Sequence, residues 1–180
     1  MTSDDRRPPP RGEAADAPLV VVLGVSGSGK TTIGVALANR LGLPYADGDN
    51  FHSPANIAKM RAGTPLDDED RWPWLDAVGT WLARHRATGG VVSCSALKRH
   101  YRDRLATAAP GVFFIHLDGS QQLISDRLGQ RRGHFMPPGL LQSQFADLER
   151  LASDEPGATV SIEATPHETV DRALLALHQR

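Results

Sequence analysis

Gly24-Val25-Ser26-Gly27-Ser28-Gly29-Lys30-Thr31 satisfies the pattern G-x-x-x-x-G-K-[ST], and no other segment of the chain constrains the fold so tightly. Its flanks agree with it. Leu19 to Leu23 is a Val-rich apolar run that reads as a buried parallel strand, while Ile33, Leu37 and Leu41 mark one face of a following helix. Strand, glycine loop and helix is the arrangement that phosphate binding requires. Glycines let backbone N–H groups turn onto a phosphate, and the helix N-terminus adds partial positive charge. Lys30 is placed to reach the β- and γ-phosphates, and the Thr31 hydroxyl to hold Mg²⁺. The expected ligand is a nucleoside triphosphate.

The chain has 180 residues, enough for one domain with a substantial core that needs no disulfide or metal staple. Its single cysteine, Cys94, lies in the apolar run Val91 to Ser95 and reads as a small strand hydrophobe. One cysteine makes no intramolecular disulfide, so a reducing cytoplasm is the economical expectation. A formal net charge of -1 gives no global reason to expect nucleic acid or an anionic membrane as partner. No apolar stretch approaches the ~20 residues of a membrane span. Met1 to Ala17 has no apolar periodicity and contains Pro8-Pro9-Pro10, so residues 1–17 are expected to be a disordered tail ahead of one domain over 18–180.

Beyond the first helix, Leu43 to Ala46 reads as a short second strand ending in Asp47-Gly48-Asp49. Ser53-Pro54 supplies an N-cap and a first-turn proline for a helix that ends near Gly63. From Trp72 the residues Trp74, Leu75, Val78, Trp81 and Leu82 recur at helical spacing, and the tryptophans read as core. Val91 to Ser95 and Val112 to Leu117 are the third and fourth strands, and Thr159 to Glu163 the fifth. Helices are expected after Ser120, from about Gly139 to Leu151, and from Pro166 to His178. Alternating short strands and helices predict an α/β, three-layer, doubly wound domain with a five-stranded parallel sheet. Ligands should then sit beyond the carboxyl ends of the strands, where Asp47, Asp49, Ser95 to Lys98 and Asp118 fall.

Three classes of nucleotide-binding protein compete. A guanine-specific switch would carry Asn-Lys-x-Asp, which the chain lacks. A motor or transport ATPase would end a core strand in an acid, but the third strand ends in Ser93-Cys94-Ser95. A small-molecule kinase can take its metal-side acid from the end of the second strand, where Asp47 and Asp49 stand. It also needs a mobile basic lid, which Arg127 to Pro138 and the following helix, about 127–145, would supply. The kinase reading accounts for most of these features.

Asp47-Gly48-Asp49-Asn50-Phe51-His52, Asn56 to Met60, Gly63 to Arg71, Cys94 to Lys98 and Gly133-His134-Phe135-Met136-Pro137 closely resemble the bacterial gluconokinase family. Gly24 to Thr32, Leu141 to Phe145 and Leu148-Glu149 match as well. The resemblance runs in order over roughly residues 18–178, and Thr31 stands where members often have Ser. It implies ATP-dependent phosphorylation of D-gluconate at the 6-hydroxyl, a homodimeric tendency, and a fold like that of shikimate and nucleoside monophosphate kinases. Small-molecule kinases of other polyhydroxy acids are the nearest alternative.

On this reading Gly24, Val25, Ser26, Gly27, Ser28, Gly29, Lys30, Thr31 and Thr32 wrap the phosphates, and Asp47 orients a metal-bound water. Asp49 lies two residues on, so in an extended segment it points the same way as Asp47. It is the candidate acceptor of the substrate hydroxyl proton. His52 is expected to hydrogen-bond the polyol, and Arg71 and Lys98 to meet the carboxylate. His134, with Gln142 and Gln144, would close over the substrate. Arg127 and Arg131, four residues apart on one helical face, would neutralise charge on the transferred group. Adenine is expected at Ala164-Thr165-Pro166.

Overall fold

The computed structural model of the chain describes residues 17–130 and 138–180. Strands β1 (Leu19–Leu23), β2 (Tyr45–Asp47), β3 (Gly90–Ser93), β4 (Phe113–Asp118) and β5 (Gly157–Ser161) form one sheet, ordered β2-β3-β1-β4-β5. Every neighbouring pair is parallel. Parallel pairing forces each connection to cross the sheet, and helices make those crossings. They are α1 (Lys30–Leu41), α2 (Pro54–Arg61), α3 (Asp68–Arg84), α4 (Arg99–Ala108), α5 (Gln121–Gln130), α6 (Pro138–Asp147) and α7 (Pro166–His178).

The continuous apolar run of β1 is explained by burial on both faces. Val20 and Val22 pack with Ile33 and Leu37 of α1 and with Val170 and Ala173 of α7. Leu19, Val21 and Leu23 face the opposite layer, with Trp74, Leu75 and Val78 of α3 and Leu105 of α4. Cys94 belongs to this second layer, and burial pushes its thiol up to about 12, so it stays neutral and unreactive. The doubly wound, three-layer α/β expectation holds. Among the described residues no helix is long and apolar enough to cross a membrane. The expected disordered tail lies, except for Ala17, outside the described residues.

Strand ends shift by one or two residues from the sequence reading, and three larger departures each have a physical reason. Helix α3 starts at Asp68 rather than Trp72. Asp67 and Asp70 form a capping box, with Asp70 N–H donating to Asp67 Oδ1 at 2.8 Å and Asp67 N–H to Asp70 Oδ2 at 3.1 Å. That cap and the tertiary bonds of the first turn outweigh the cost of Pro73 inside the helix. Helix α6 stops at Asp147 because Glu149 N–H donates to Leu97 O at 2.9 Å, taking the chain out of the helix. The segment after β2 is a 3₁₀ turn, Gly48–Phe51, and not extended backbone.

Behind the β3–α4 loop lies a buried ion pair. Arg102 and Glu155 side chains are 1% and 3% exposed and meet at 2.7 Å. The guanidinium also donates to the carbonyl oxygens of Ala96, Leu97 and Glu149. Removing one member of such a pair leaves the other charge buried and uncompensated. Arg102→Ala should therefore destabilise the domain by about 3–5 kcal/mol. Urea denaturation of variant and parent measures this, and a loss near that of a surface substitution would contradict it.

Candidate active site

The phosphate loop leaves β1 at Gly24 and enters α1 at Lys30. Gly27 has φ +80°, and a Cβ there would meet Leu128 Cγ at 2.7 Å, so both conformation and space require glycine. Gly29, at φ +93°, is the N-cap of α1. Val25 is buried, and its carbonyl accepts from Ser28 N–H at 3.2 Å and from Lys30 Nζ at 3.1 Å. Ser28 Oγ is buried without a hydrogen-bond partner among the described residues. The loop is thus held from within, and Lys30 is folded back over it.

Two cavities open from this loop. The first, of about 350 Å³, is lined by Gly27, Ser28, Gly29 and Thr32 on one side and by Arg127, Ala164 and Pro166 on another. Its volume suits a small-molecule ligand. The second is lined by Ser26, Lys30, Asp49, His52, Arg71, Trp74, Ser95 and Gln144, among others. It joins two cations, one carboxylate and several neutral donors and acceptors beside the phosphate loop. An oxygen-rich anion matches that set.

The 3₁₀ turn separates the two acids. Asp47 Oδ1 accepts from Asp49 N–H at 3.0 Å, and Asp47 Oδ2 accepts from the Thr31 hydroxyl at 3.0 Å. The Asp47 carboxylate and Thr31 hydroxyl together fit a hard cation that takes its remaining ligands from phosphate and water. Among the described residues no cluster of three or more His, Cys, Asp and Glu side chains could hold a metal by itself. Asp49 instead lines the second cavity. The expectation that both carboxylates point the same way therefore fails, because the turn begins at Gly48.

Trp74 holds that turn in place. Its indole Nε1–H donates to Gly48 O at 2.7 Å, and its ring stacks on His52 with centroids 4.3 Å apart. A Cβ on Gly48 would run into the Ser93 carbonyl oxygen, so glycine lets the turn lie against β3. Arg71 donates to the Tyr101 hydroxyl at 3.0 Å and lies 3.8 Å from Asp147. Tyr101 in turn donates to Asp68, and this bond leads the interactions that hold the Asp68 carboxyl below its ordinary range. Tyr101 thus links Arg71 to Asp68 of the acidic run before it.

The shikimate kinase family model matches residues 26–156 of the chain. The gluconokinase of Gluconobacter oxydans is 46% identical over 157 residues, which cover 86% of this chain and 88% of that one. The crystal structure of a gluconokinase from Sinorhizobium meliloti superposes with a TM-score of 0.85 at 45% identity, covering 91% of this chain and 93% of that one. The chain belongs to the gluconokinase family. A shikimate kinase from Aquifex aeolicus, at 16% identity and a TM-score of 0.59 over 89% of this chain and 96% of its own, shares the fold.

The expected gluconokinase site is only partly assembled as the sequence suggested. Lys30, Asp49, His52 and Arg71 do line one cavity. Gln142 does not: it is exposed, while Leu140, Ser143 and Gln144 present the cavity face of α6. A one-residue step rotates a helical side chain by about 100°, so of the two glutamines named from the sequence only Gln144 is on the face that lines this cavity. Lys98 caps α4 outside the cavity lining, and its ammonium lies 3.2 Å from Asp68 and 3.6 Å from Asp147. Arg127 lines the first cavity and donates to Ile162 O at 2.6 Å. Arg131 and His134 lie outside the described residues.

Trp74, Ser95 and Gln144 complete the cavity. Gln144 reaches the phosphate loop itself, accepting from Ser26 N–H at 2.7 Å. Trp74 carried the apolar spacing of a core residue, and at 2% exposure it is one, as well as a cavity wall. Trp74→Phe should cost about 1–3 kcal/mol, because it leaves the Gly48 carbonyl without its donor. It should also raise the substrate KM, since the turn carrying Asp49 loses its anchor. Denaturation and steady-state kinetics measure both, and a variant unchanged in both would remove Trp74 as the anchor.

Proposed function

We propose that this chain transfers the γ-phosphoryl group of ATP to the 6-hydroxyl of D-gluconate, giving 6-phospho-D-gluconate and ADP. The observation that carries this reading is the second cavity, where Lys30 of the phosphate loop faces Asp49, His52 and Arg71. Phosphoryl transfer passes through a loose transition state, so positioning and charge stabilisation supply most of the catalysis. The loop amides and Lys30 bind the phosphates. Arg71 meets the substrate carboxylate, with Lys98 adding positive potential from behind Asp68 and Asp147. Asp49 orients the attacking hydroxyl and accepts its proton. Mg²⁺, held through Thr31 and a water on Asp47, would neutralise phosphate charge.

Adenine occupies the first cavity, between Arg127 and the Ala164–Pro166 loop. Arg131 and His134 are proposed to reach the transferred group and the substrate from the lid between α5 and α6. Residues 18–180 act as one kinase domain, in a homodimer in the cytoplasm, feeding carbohydrate-acid metabolism through the pentose phosphate pathway.

The deciding experiment couples ADP release to a spectroscopic signal with gluconate, shikimate and AMP as acceptors. Turnover with gluconate, and essentially none with the other two, is expected. A specificity constant for shikimate comparable to that for gluconate would overturn the substrate while leaving a kinase.

The two acids are separable by metal titration. Asp49→Asn keeps the shape and loses the base, which should lower turnover by about 10²–10⁴-fold, towards the lower end for a loose transition state. Its ATP affinity should hardly move. Asp47→Asn should lose less in excess Mg²⁺, and Asp49→Asn should gain nothing from it. Turnover of both variants against Mg²⁺ concentration is the measurement, and rescue of Asp49→Asn alone would reverse the two roles.

A further inference from the structure

Asn56 of α2 is 5% exposed and lies beside His52, which lines the second cavity. Its side-chain nitrogen donates to the backbone carbonyl of Asp70 at 2.8 Å. A carbonyl only accepts, so this bond fixes which end of the amide is the nitrogen: the flipped amide would set two oxygens against each other. The same nitrogen lies 3.4 Å from His52 Nδ1. An amide nitrogen only donates, so Nδ1 has to present its lone pair, and a proton there would oppose a second donor. A neutral imidazole carries one N–H, which is thereby assigned to Nε2.

The ring has little freedom to escape this assignment. It lies nearly parallel to the Trp74 indole, at an interplanar angle of 14°. Turning it over would bring a carbon to Asn56 and forfeit the contact. His52 lines the cavity beside Asp49, Arg71 and Ser95. Among the described residues no protein acceptor takes a hydrogen bond from Nε2, and the atom is not among the buried orphans.

We infer that Asn56 is a positioning residue: it fixes His52 as the Nε2–H tautomer and so makes it a neutral hydrogen-bond donor to an oxygen of the substrate. The inference rests on the reading of this cavity as the site of a polyhydroxy acid. A hydroxyl bound this way accepts from His52 and keeps its own proton for another partner. A simple anion is served by Lys30 and Arg71, whereas a neutral donor adds recognition of alcohol oxygens without a further charge to compete for Asp49. Burial holds His52 below its ordinary value, with Arg71 acting in the same direction and Asp49 against it. The chain of constraint runs from the Asp70 carbonyl, through Asn56, to the hydrogen on the far side of the ring.

The test reads the tautomer directly in the ligand-free, full-length protein. Histidine labelled with nitrogen-15 gives long-range proton–nitrogen correlations that separate the two tautomers from imidazolium, and loss of one set in His52→Phe assigns the signal. At neutral pH the expected pattern has a protonated Nε2 and a bare Nδ1. A protonated Nδ1, alone or in imidazolium, overturns the assignment. Asn56→Asp replaces the donor with an acceptor and should put a proton on Nδ1; where that variant does not fold, the parent spectrum decides. In kinetics, His52→Phe keeps an aromatic ring on Trp74 but loses the donor. Its gluconate KM should rise about tenfold, the equivalent of one hydrogen bond, with the ATP KM unchanged. An unchanged gluconate KM overturns the donor role. A parent enzyme that does not turn over gluconate overturns the substrate reading instead, and the spectrum still decides the tautomer.

Discussion

A guanidinium withdrawn from water has to be met on every side, and in this domain that requirement organises the loops behind the second cavity. Arg102 satisfies it with Glu155, Ala96, Leu97 and Glu149. These partners come from the loop after β3, the segment after α6 and the approach to β5. None of the three segments has regular structure to fix it, yet a buried charge tolerates no loose partner. The pair thus holds Ala96 at φ +37°, an uncommon conformation for a residue with a side chain. Ser95, which lines the cavity, is the residue immediately before Ala96. Stability and site geometry are linked through one side chain that lines neither cavity.

The phosphate loop divides the ligand edge into two chemically different halves. On the β4–β5 side the cavity walls are Ile33, Ile162, Ala164 and Pro166, with Arg127 the notable cation. Such a wall suits a flat, weakly polar group. On the β3 side the walls carry charge and hydrogen-bonding groups, which suits a hydroxylated anion. α6 reaches the dividing loop on its polar side, because Gln144 lines that cavity and its amide oxygen receives the Ser26 N–H. Gln144 thus takes up a loop amide that would otherwise be offered to phosphate.

Much of this was legible in the chain itself. Local signals did well: the glycine loop, the doubly buried Leu19–Leu23 strand and the Ser53-Pro54 helix start are written in adjacent residues. Signals that depend on helix phase or on distant partners did not. Gln142 and Gln144 are equivalent by composition, and only the packing of α6 shows which one faces the loop. Lys98 follows a strand end, as a ligand-binding cation should, but Asp68 approaches it from 30 residues away. Trp74 has the spacing of a core residue, and nothing local reveals that its N–H is committed to the Gly48 carbonyl. The start of α3 was missed because Pro73 hides the capping box upstream of it.

The different placements of Asp47 and Asp49 show how far the local sequence falls short of the site. In a strand the two carboxylates would share a face and repel each other. The 3₁₀ turn removes that arrangement by using Asp47 as its own cap: one oxygen receives the Asp49 N–H, and the other receives Thr31. Asp49 is carried round towards His52 and Arg71. The turn keeps this shape because Gly48 fits flush against the Ser93 carbonyl and because Trp74 binds its own carbonyl from α3. Asp-Gly-Asp by itself is compatible with either arrangement. What separates the acid beside the phosphate loop from the acid in the second cavity is the packing of β3 and α3 against one residue between them.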